Sequence, residues 1–227
     1  MSAAAEHSRT PDMVVFGSTG RCGAAMVSRA LAAGYRVRAV ARSASKLERL
    51  GFDAELERGQ LSCQEADIRD PRAVAAAIDG VPIVVSGLAS FEPPHDQMST
   101  LTRHVVSAAK PGTRYVVFGL CNRNAPEVWL DRAMQACLGV ISRGKFGPAM
   151  LDHDRQEALL RDSELDYTIA QTASMRAWPM GRAFRSGGRE AVPDARLWQR
   201  FGYLDAAEAV IRHLEDSPLP RLYFRYC

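Results

Sequence analysis

The chain has no long hydrophobic run. No apolar stretch approaches the roughly 20 residues that a membrane-spanning helix needs, and the opening MSAAAEHSRTPD is polar, without the apolar core of a signal peptide. The five cysteines, Cys22, Cys63, Cys121, Cys137 and Cys227, form no Cys-x-x-Cys pair and leave an odd one over. This argues against a disulfide framework and against a zinc or other metal site. A reducing compartment fits such usage, so the expectation is a soluble, cytoplasmic protein. Lysine is also scarce: Lys46, Lys110 and Lys145 stand against 26 arginines among the 29 basic residues. Coding bias in a GC-rich genome accounts for that imbalance without a binding function. The net charge is only +3 and the basic residues are not massed in one tract, which excludes nucleic acid as the first partner to consider. No internal repeat, low-complexity linker or composition break divides the chain. A flexible N-terminus over 1–11 and a single domain over 12–227 are expected.

What the sequence does have is alternation. Short apolar runs rich in Val and Ile at 13–16, 37–41, 83–85, 115–118 and 167–170, with a weaker one before Asp67, read as strands. Between them 22–33, 71–78, 98–109 and 151–161 read as helices, followed by a helix at 205–215 and the strand-like RLYFRY. Continuous apolar strands separated by helices predict a parallel sheet covered on both faces, the doubly wound α/β (Rossmann-type) class. Asp70, Pro71 and Gly80 punctuate one of these helices as N-cap, first turn and terminator. Periodicity fades over about 172–203, where an irregular substrate-side segment with a small hairpin around Gly187-Gly188 is expected.

In such folds ligands bind beyond the carboxyl ends of the strands. Here Phe16 is followed by GSTGRCG, with Gly17, Gly20 and Gly23 three residues apart, and then by an amphipathic helix. Glycines allow a tight turn, a close approach of backbone to a pyrophosphate, and close packing of helix on strand. Open amide groups and the helix dipole then hold the anion. Gly17, Ser18, Thr19, Gly20, Arg21, Cys22 and Gly23 are the candidate cradle; a purely structural turn is the competing reading. About 20 residues on, where NAD-binding folds place an acid for the ribose 2′-hydroxyl, the chain reads Ala41-Arg42. An arginine can pair with a 2′-phosphate in a fork, with Ser43 and Lys46 adding donors, so NADP(H) is preferred over NAD(H). A solvated arginine would look the same. Asp67 and Ile68 would sit near the adenine, and Gly87, Leu88 and Ala89 beside the ribose.

These stretches, together with YVVFGLC, LDHDRQEALLRDSELDYTIA and the last helix, resemble the atypical short-chain dehydrogenases/reductases of the single-domain NAD(P)H-binding group, that of flavin reductase (biliverdin IXβ reductase). The resemblance implies hydride transfer from NADPH to a flavin or linear tetrapyrrole without a metal. It also implies that His153, which matches a histidine of the relative, and Cys121, where the relative has a serine, lie near the nicotinamide as catalytic candidates. A histidine with a pKa of about 6.5 can donate a proton near neutrality. The Tyr-x-x-x-Lys pair of the classical enzymes is missing: none of the six tyrosines has a lysine four residues on. QTASM replaces the proline-containing turn usual in the group, leaving Gln171, Thr172 and Ser174 as possible donors to nicotinamide or substrate.

Arg176, Arg182, Arg185, Arg189, Arg196 and Arg200, with Trp178 among them, suggest an anionic, planar substrate under a basic lid, against the plainer reading of a solvated loop. The leading expectation is an NADPH-dependent reductase of a flavin, bilin, quinone or unsaturated natural-product intermediate. A non-redox isomerase, epimerase or cyclase of secondary metabolism, and an NADP-sensing regulatory protein, are the alternatives. A small-molecule partner is expected, with the chain a monomer or homodimer.

Overall fold

The computed structural model describes residues 10–43, 45–48, 51–120, 147–172, 174–177, 183–193, 195, 200–214, 216 and 219–227. The strands are β1 (Met13–Phe16), β2 (Val37–Ala41), β3 (Leu61–Glu65), β4 (Ile83–Ser86), β5 (Arg114–Leu120), β6 (Asp166–Thr172), β7 (Ser174–Arg176), β8 (Phe184–Gly187), β9 (Arg200–Gly202) and β10 (Arg221–Tyr226). The helices are α1 (Arg21–Ala32), α2 (Ser45–Glu48), α3 (Asp53–Glu57), α4 (Pro71–Ile78), α5 (Gln97–Ala108), α6 (Gly147–Arg161) and α7 (Tyr203–Arg212). Eight strands form one sheet in the order β3-β2-β1-β4-β5-β6-β10-β8, parallel throughout except for β8 against β10. This is the doubly wound Rossmann-type arrangement, with its crossover between β1 and β4.

The alternation of side chains along β1 shows how the layers form. Met13 and Val15 enter one core with Met26, Ala30 and Leu31 of α1 and Ala206 and Val210 of α7. Val14 and Phe16 enter the other with Val74 of α4, Leu101 of α5 and Leu160 of α6. All four β1 residues are fully buried, and each such side chain stabilises the fold by about 1.5–3 kcal/mol. The turn after α1 is set by a Schellman pair, Tyr35 N–H to Ala30 O and Gly34 N–H to Leu31 O, both 3.0 Å, with Gly34 at φ +90°. Asp12 fixes the entry to β1: its carboxylate accepts the Arg36 N–H at 2.9 Å and the guanidinium at 2.7 Å, and Arg36 holds its pKa below the usual carboxylate value.

Two expectations need correction. The segment near 172–203 is not wholly irregular, since β7 and β9 pair in parallel as a separate two-stranded ribbon. Nor does a hairpin form at Gly187-Gly188: β8 pairs antiparallel with the C-terminal β10, Gly187 opposite Tyr223 and Phe184 opposite Tyr226. The driving force is aromatic. Phe201 meets Phe184 edge-on at 5.4 Å and stacks on Tyr226 at 4.3 Å, an arrangement a local hairpin would not bury. Helix α6 also starts earlier than the periodicity indicates, at Gly147 rather than 151. No helix among the described residues is long and apolar enough to cross a membrane.

Candidate functional site

The carboxyl ends of the parallel strands gather the site residues. After β1 the chain turns through Gly17, at φ +70°, and Gly20 N–H bonds back to Gly17 O at 2.9 Å. Gly20 then serves as N-cap of α1 with no side-chain cap, and the first intrahelical bond is Ala24 N–H to Gly20 O. The amides of Arg21, Cys22 and Gly23 thus precede the helix's own ladder and carry its positive dipole end. The glycines are there for space. A Cβ on Gly23 would lie 2.1 Å from Gly17 O, and one on Gly87, just after β4, 2.6 Å from Gly23 N. The turn, the helix start and the exit of β4 therefore meet backbone to backbone, the close packing that glycines of a dinucleotide cradle serve. The chain's own geometry fits a dinucleotide.

Several expected cradle residues have their roles refined. Ser18 is fully buried and its hydroxyl donates to Val40 O at 2.9 Å. Its side chain therefore ties the turn to β2. Thr19 is half-buried, Gly20 and Arg21 exposed. Leu88 packs over Gly17, its Cδ2 2.8 Å from the position a Cβ would take there, and Ala89 is exposed. The Cys22 sulfur lies 3.9 Å from Met175 Sδ of β7, and burial pushes its thiol up to about 12. Despite its place at a helix N-terminus, Cys22 remains a neutral thiol. At pH 8 it should alkylate far more slowly than the exposed Cys63 and Cys227, as followed by mass spectrometry of the native protein. Labelling at equal rates would contradict the burial.

At the next strand ends, Arg42, Glu65, Ala66 and Asp67 line an open cleft of about 320 Å³. Arg42 is exposed, as is Lys46 on α2; the Ser43 hydroxyl lies 2.8 Å from that of Ser45. Asp67 is exposed, its Oδ1 accepting the Arg69 N–H at 2.9 Å. Ile68 is half-buried against the core and its carbonyl meets His104 Nδ1 at 2.9 Å, so its side chain serves the core at least as much as a ligand. Arg42 and Asp67, 25 residues apart in sequence, thus share one cleft.

Deeper along the edge, Gly119 of β5 pairs with Gln171 of β6. A Cβ at Gly119 would lie 3.6 Å from Gln171 Nε2 and 3.9 Å from His153 Cε1. The structure therefore brings His153 and Gln171 together around a glycine. Gln171 is buried, His153 half-buried. Thr172 ends β6 and Ser174 begins β7. Cys121 and Trp178, with Arg182 and Arg196, lie outside the described residues. Of the other arginines, Arg185 belongs to β8, and Arg189 stacks on Tyr223 at 4.7 Å and donates to Ala195 O at 3.3 Å. Arg189 is thereby held against Tyr223 of β10, away from the expected lid.

One residue at the heart of this region is invisible to sequence reasoning. Asp152 of α6 is fully buried and accepts from the Ser90 hydroxyl at 2.5 Å, Met98 N–H at 2.9 Å and Ser99 N–H at 3.2 Å. From α6 it caps α5, whose own N-cap residue, Asp96, makes no side-chain cap bond. It also fastens the loop running from Gly87 to Ser90 against the helix that bears His153. In the sequence it is one acid among several on a helix without an apolar stripe. Gly119 did carry a readable signal, an isolated glycine inside an apolar strand, which marks a close approach.

Fold and cradle together define a dinucleotide-binding protein of the Rossmann type. Residues 17–197 match the NAD(P)H-binding family, and the chain belongs to it. No curated protein sequence matches the chain. Solved structures similar to it include an oxidoreductase from Lactococcus lactis, at 15% identity, TM-score 0.71, covering 95% of this chain and 91% of the other. Another is a short-chain dehydrogenase/reductase from Veillonella parvula in complex with NADP, at 11% identity, TM-score 0.70, with coverage 95% and 94%. A third is a proposed NADH-flavin reductase from Streptococcus pneumoniae, at 16% identity, TM-score 0.68, with coverage 96% and 100%. At these identities the likeness is one of fold.

Proposed function

We propose that the protein is an NADPH-preferring reductase of a planar conjugated small molecule, with flavins the first class to test. The observation that carries the reading is the pairing of two sites on one sheet edge: a glycine cradle followed by the Arg42 cleft, and the His153–Gln171 pair around Gly119. The names of the structural neighbours, an oxidoreductase, an NADP complex and a proposed flavin reductase, agree with it.

The amides of Arg21, Cys22 and Gly23 would hold the pyrophosphate, and Arg42 the 2′-phosphate. When bound, the nicotinamide supplies a hydride. The chain's own residues then have to hold the acceptor, exclude water and provide one proton, so that hydride and proton together complete a two-electron reduction. An imidazole nitrogen of His153, beside the Cε1 that faces Gly119, can hold that proton. Gln171 Nε2–H can orient a carbonyl or ring nitrogen of the acceptor. Positioning then supplies most of the rate.

The test is consumption of NADPH by the purified protein with and without a flavin, a bilin or a quinone. The expected result is oxidation that depends on the acceptor; product formed from an added substrate with no NADPH consumed would overturn the redox reading. Arg42→Ala should weaken NADPH about ten-fold or more while changing NADH by no more than about two-fold. Equal losses for both cofactors would remove Arg42 from the 2′-phosphate.

A further inference from the structure

We propose that Glu65 limits how strongly the site discriminates NADPH from NADH, by opposing Arg42 within one cleft. The inference rests on Arg42 being the 2′-phosphate residue and concerns a second, oppositely charged member of the same subsite.

Strands β2 and β3 leave the sheet side by side. Ala41 pairs in register with Glu65, and Ala66 N–H donates to Ala41 O at 3.0 Å, which puts Arg42 next to the chain that follows Glu65. The cleft that results is lined by Arg42, Glu65, Ala66 and Asp67. Among the described residues its charged lining is one guanidinium and two carboxylates. Asp67 is held in its own turn through Arg69 N–H. Arg42, Glu65 and Asp67 are all exposed. Lys46, on the short helix α2 that follows Arg42, is exposed as well.

A sugar phosphate carries about −1.5 to −2 charges near pH 7. A carboxylate in the same cleft repels it, whatever the guanidinium gains. The ribose of NADH presents instead a neutral hydroxyl, which a carboxylate can accept from. Glu65 thus acts in opposite senses on the two cofactors: it weakens NADPH and favours NADH. Arg42 alone would give a steeper preference than the protein has. The sequence pattern at the end of β2 announces an NADP site, and the acid that tempers it comes from the neighbouring strand.

The experiment uses the full chain and titrates NADPH and NADH, by fluorescence, into the wild type, Glu65→Gln, Glu65→Lys and Arg42→Ala. Glu65→Gln keeps the shape of an exposed side chain and removes its charge. It should tighten NADPH by about three- to ten-fold and leave NADH unchanged or weaker, with Glu65→Lys moving NADPH further the same way. The gap between wild type and Glu65→Gln should close near 1 M salt, where the screening length is about 3 Å. NADPH binding by Glu65→Gln that equals or falls below wild type at low salt overturns the inference. If Arg42→Ala loses NADPH while Glu65→Gln changes nothing, only the role of Glu65 falls. If Arg42→Ala leaves NADPH untouched, the 2′-phosphate reading falls and this inference with it.

Discussion

Gly23→Ala is expected to lose cofactor binding, and to lose it more completely than the same change at either other glycine of the turn. The added methyl would sit 2.1 Å from Gly17 O, 2.6 Å from Gly17 C and 2.8 Å from Ser18 Cα. All three are backbone atoms, so no rotamer change relieves the contact, and the start of α1 has to move away from the turn. Gly87 lies against the same amide from the other side and blocks one direction of escape. Overpacking of this kind costs about 1–3 kcal/mol, and a displaced helix start also misaims the amides of Arg21, Cys22 and Gly23. Gly17→Ala meets the flexible Leu88 side chain at 2.8 Å but has φ +70°, so it should be intermediate. Gly20→Ala, with φ −80° and its nearest contact Gly17 O at 3.2 Å, should be mildest. Calorimetric titration with NADPH, beside thermal unfolding of each variant, checks the order. Equal losses at all three would mean that the spacing, not the contact geometry, governs the site.

Asp152→Ala should produce the largest loss of stability of any single acid among the described residues. Its removal leaves the Ser90 hydroxyl and two amides of α5 without their acceptor at a fully buried position. An unsatisfied buried group costs about 1–3 kcal/mol, and a total of roughly 3 kcal/mol would lower Tm by about 6–12 °C for a chain of this size. Asp152→Asn, which keeps an accepting oxygen, should fall between. Asp162→Ala, at an exposed position after α6, should leave Tm within about 1 °C. Because Asp152 also fastens the loop from Gly87 to Ser90, the alanine variant should bind NADPH more weakly at temperatures where it is still folded. A Tm within 2 °C or so of wild type would show that water or a neighbouring group replaces the carboxylate.

How much of this was legible depends on where each residue's constraint lies. Strands β1 and β2 have the bounds expected from Met13–Phe16 and Val37–Ala41 because both their faces are buried and every residue but Arg38 contributes to the apolar signal. Strand β3 gave a weak signal because it is the sheet edge: Ser62, Cys63 and Glu65 are exposed, and only Leu61 is buried. Strand β8 was not read as such because its partner, β10, begins 34 residues after it ends, a pairing no local pattern can announce. The glycine cradle was readable because its constraint is local, a turn and a helix start within seven residues. His153 was named from a resemblance and Gln171 from a departure from it, but their meeting at Gly119 depends on two strands and a helix from separate parts of the chain. Asp152 and Glu65 were not seen for the same reason. An acid reads as solvated until its neighbours are known.

The central claim is that the turn after β1 and the cleft at Arg42 hold NADPH. The most direct test is a fluorescence titration of the purified protein with NADPH and with NADH at matched ionic strength, repeated with Arg42→Ala. The account predicts saturable binding of both to the wild type, NADPH the tighter, with that preference abolished in the variant. Absence of binding by either cofactor, or a preference that survives the loss of Arg42, would contradict it.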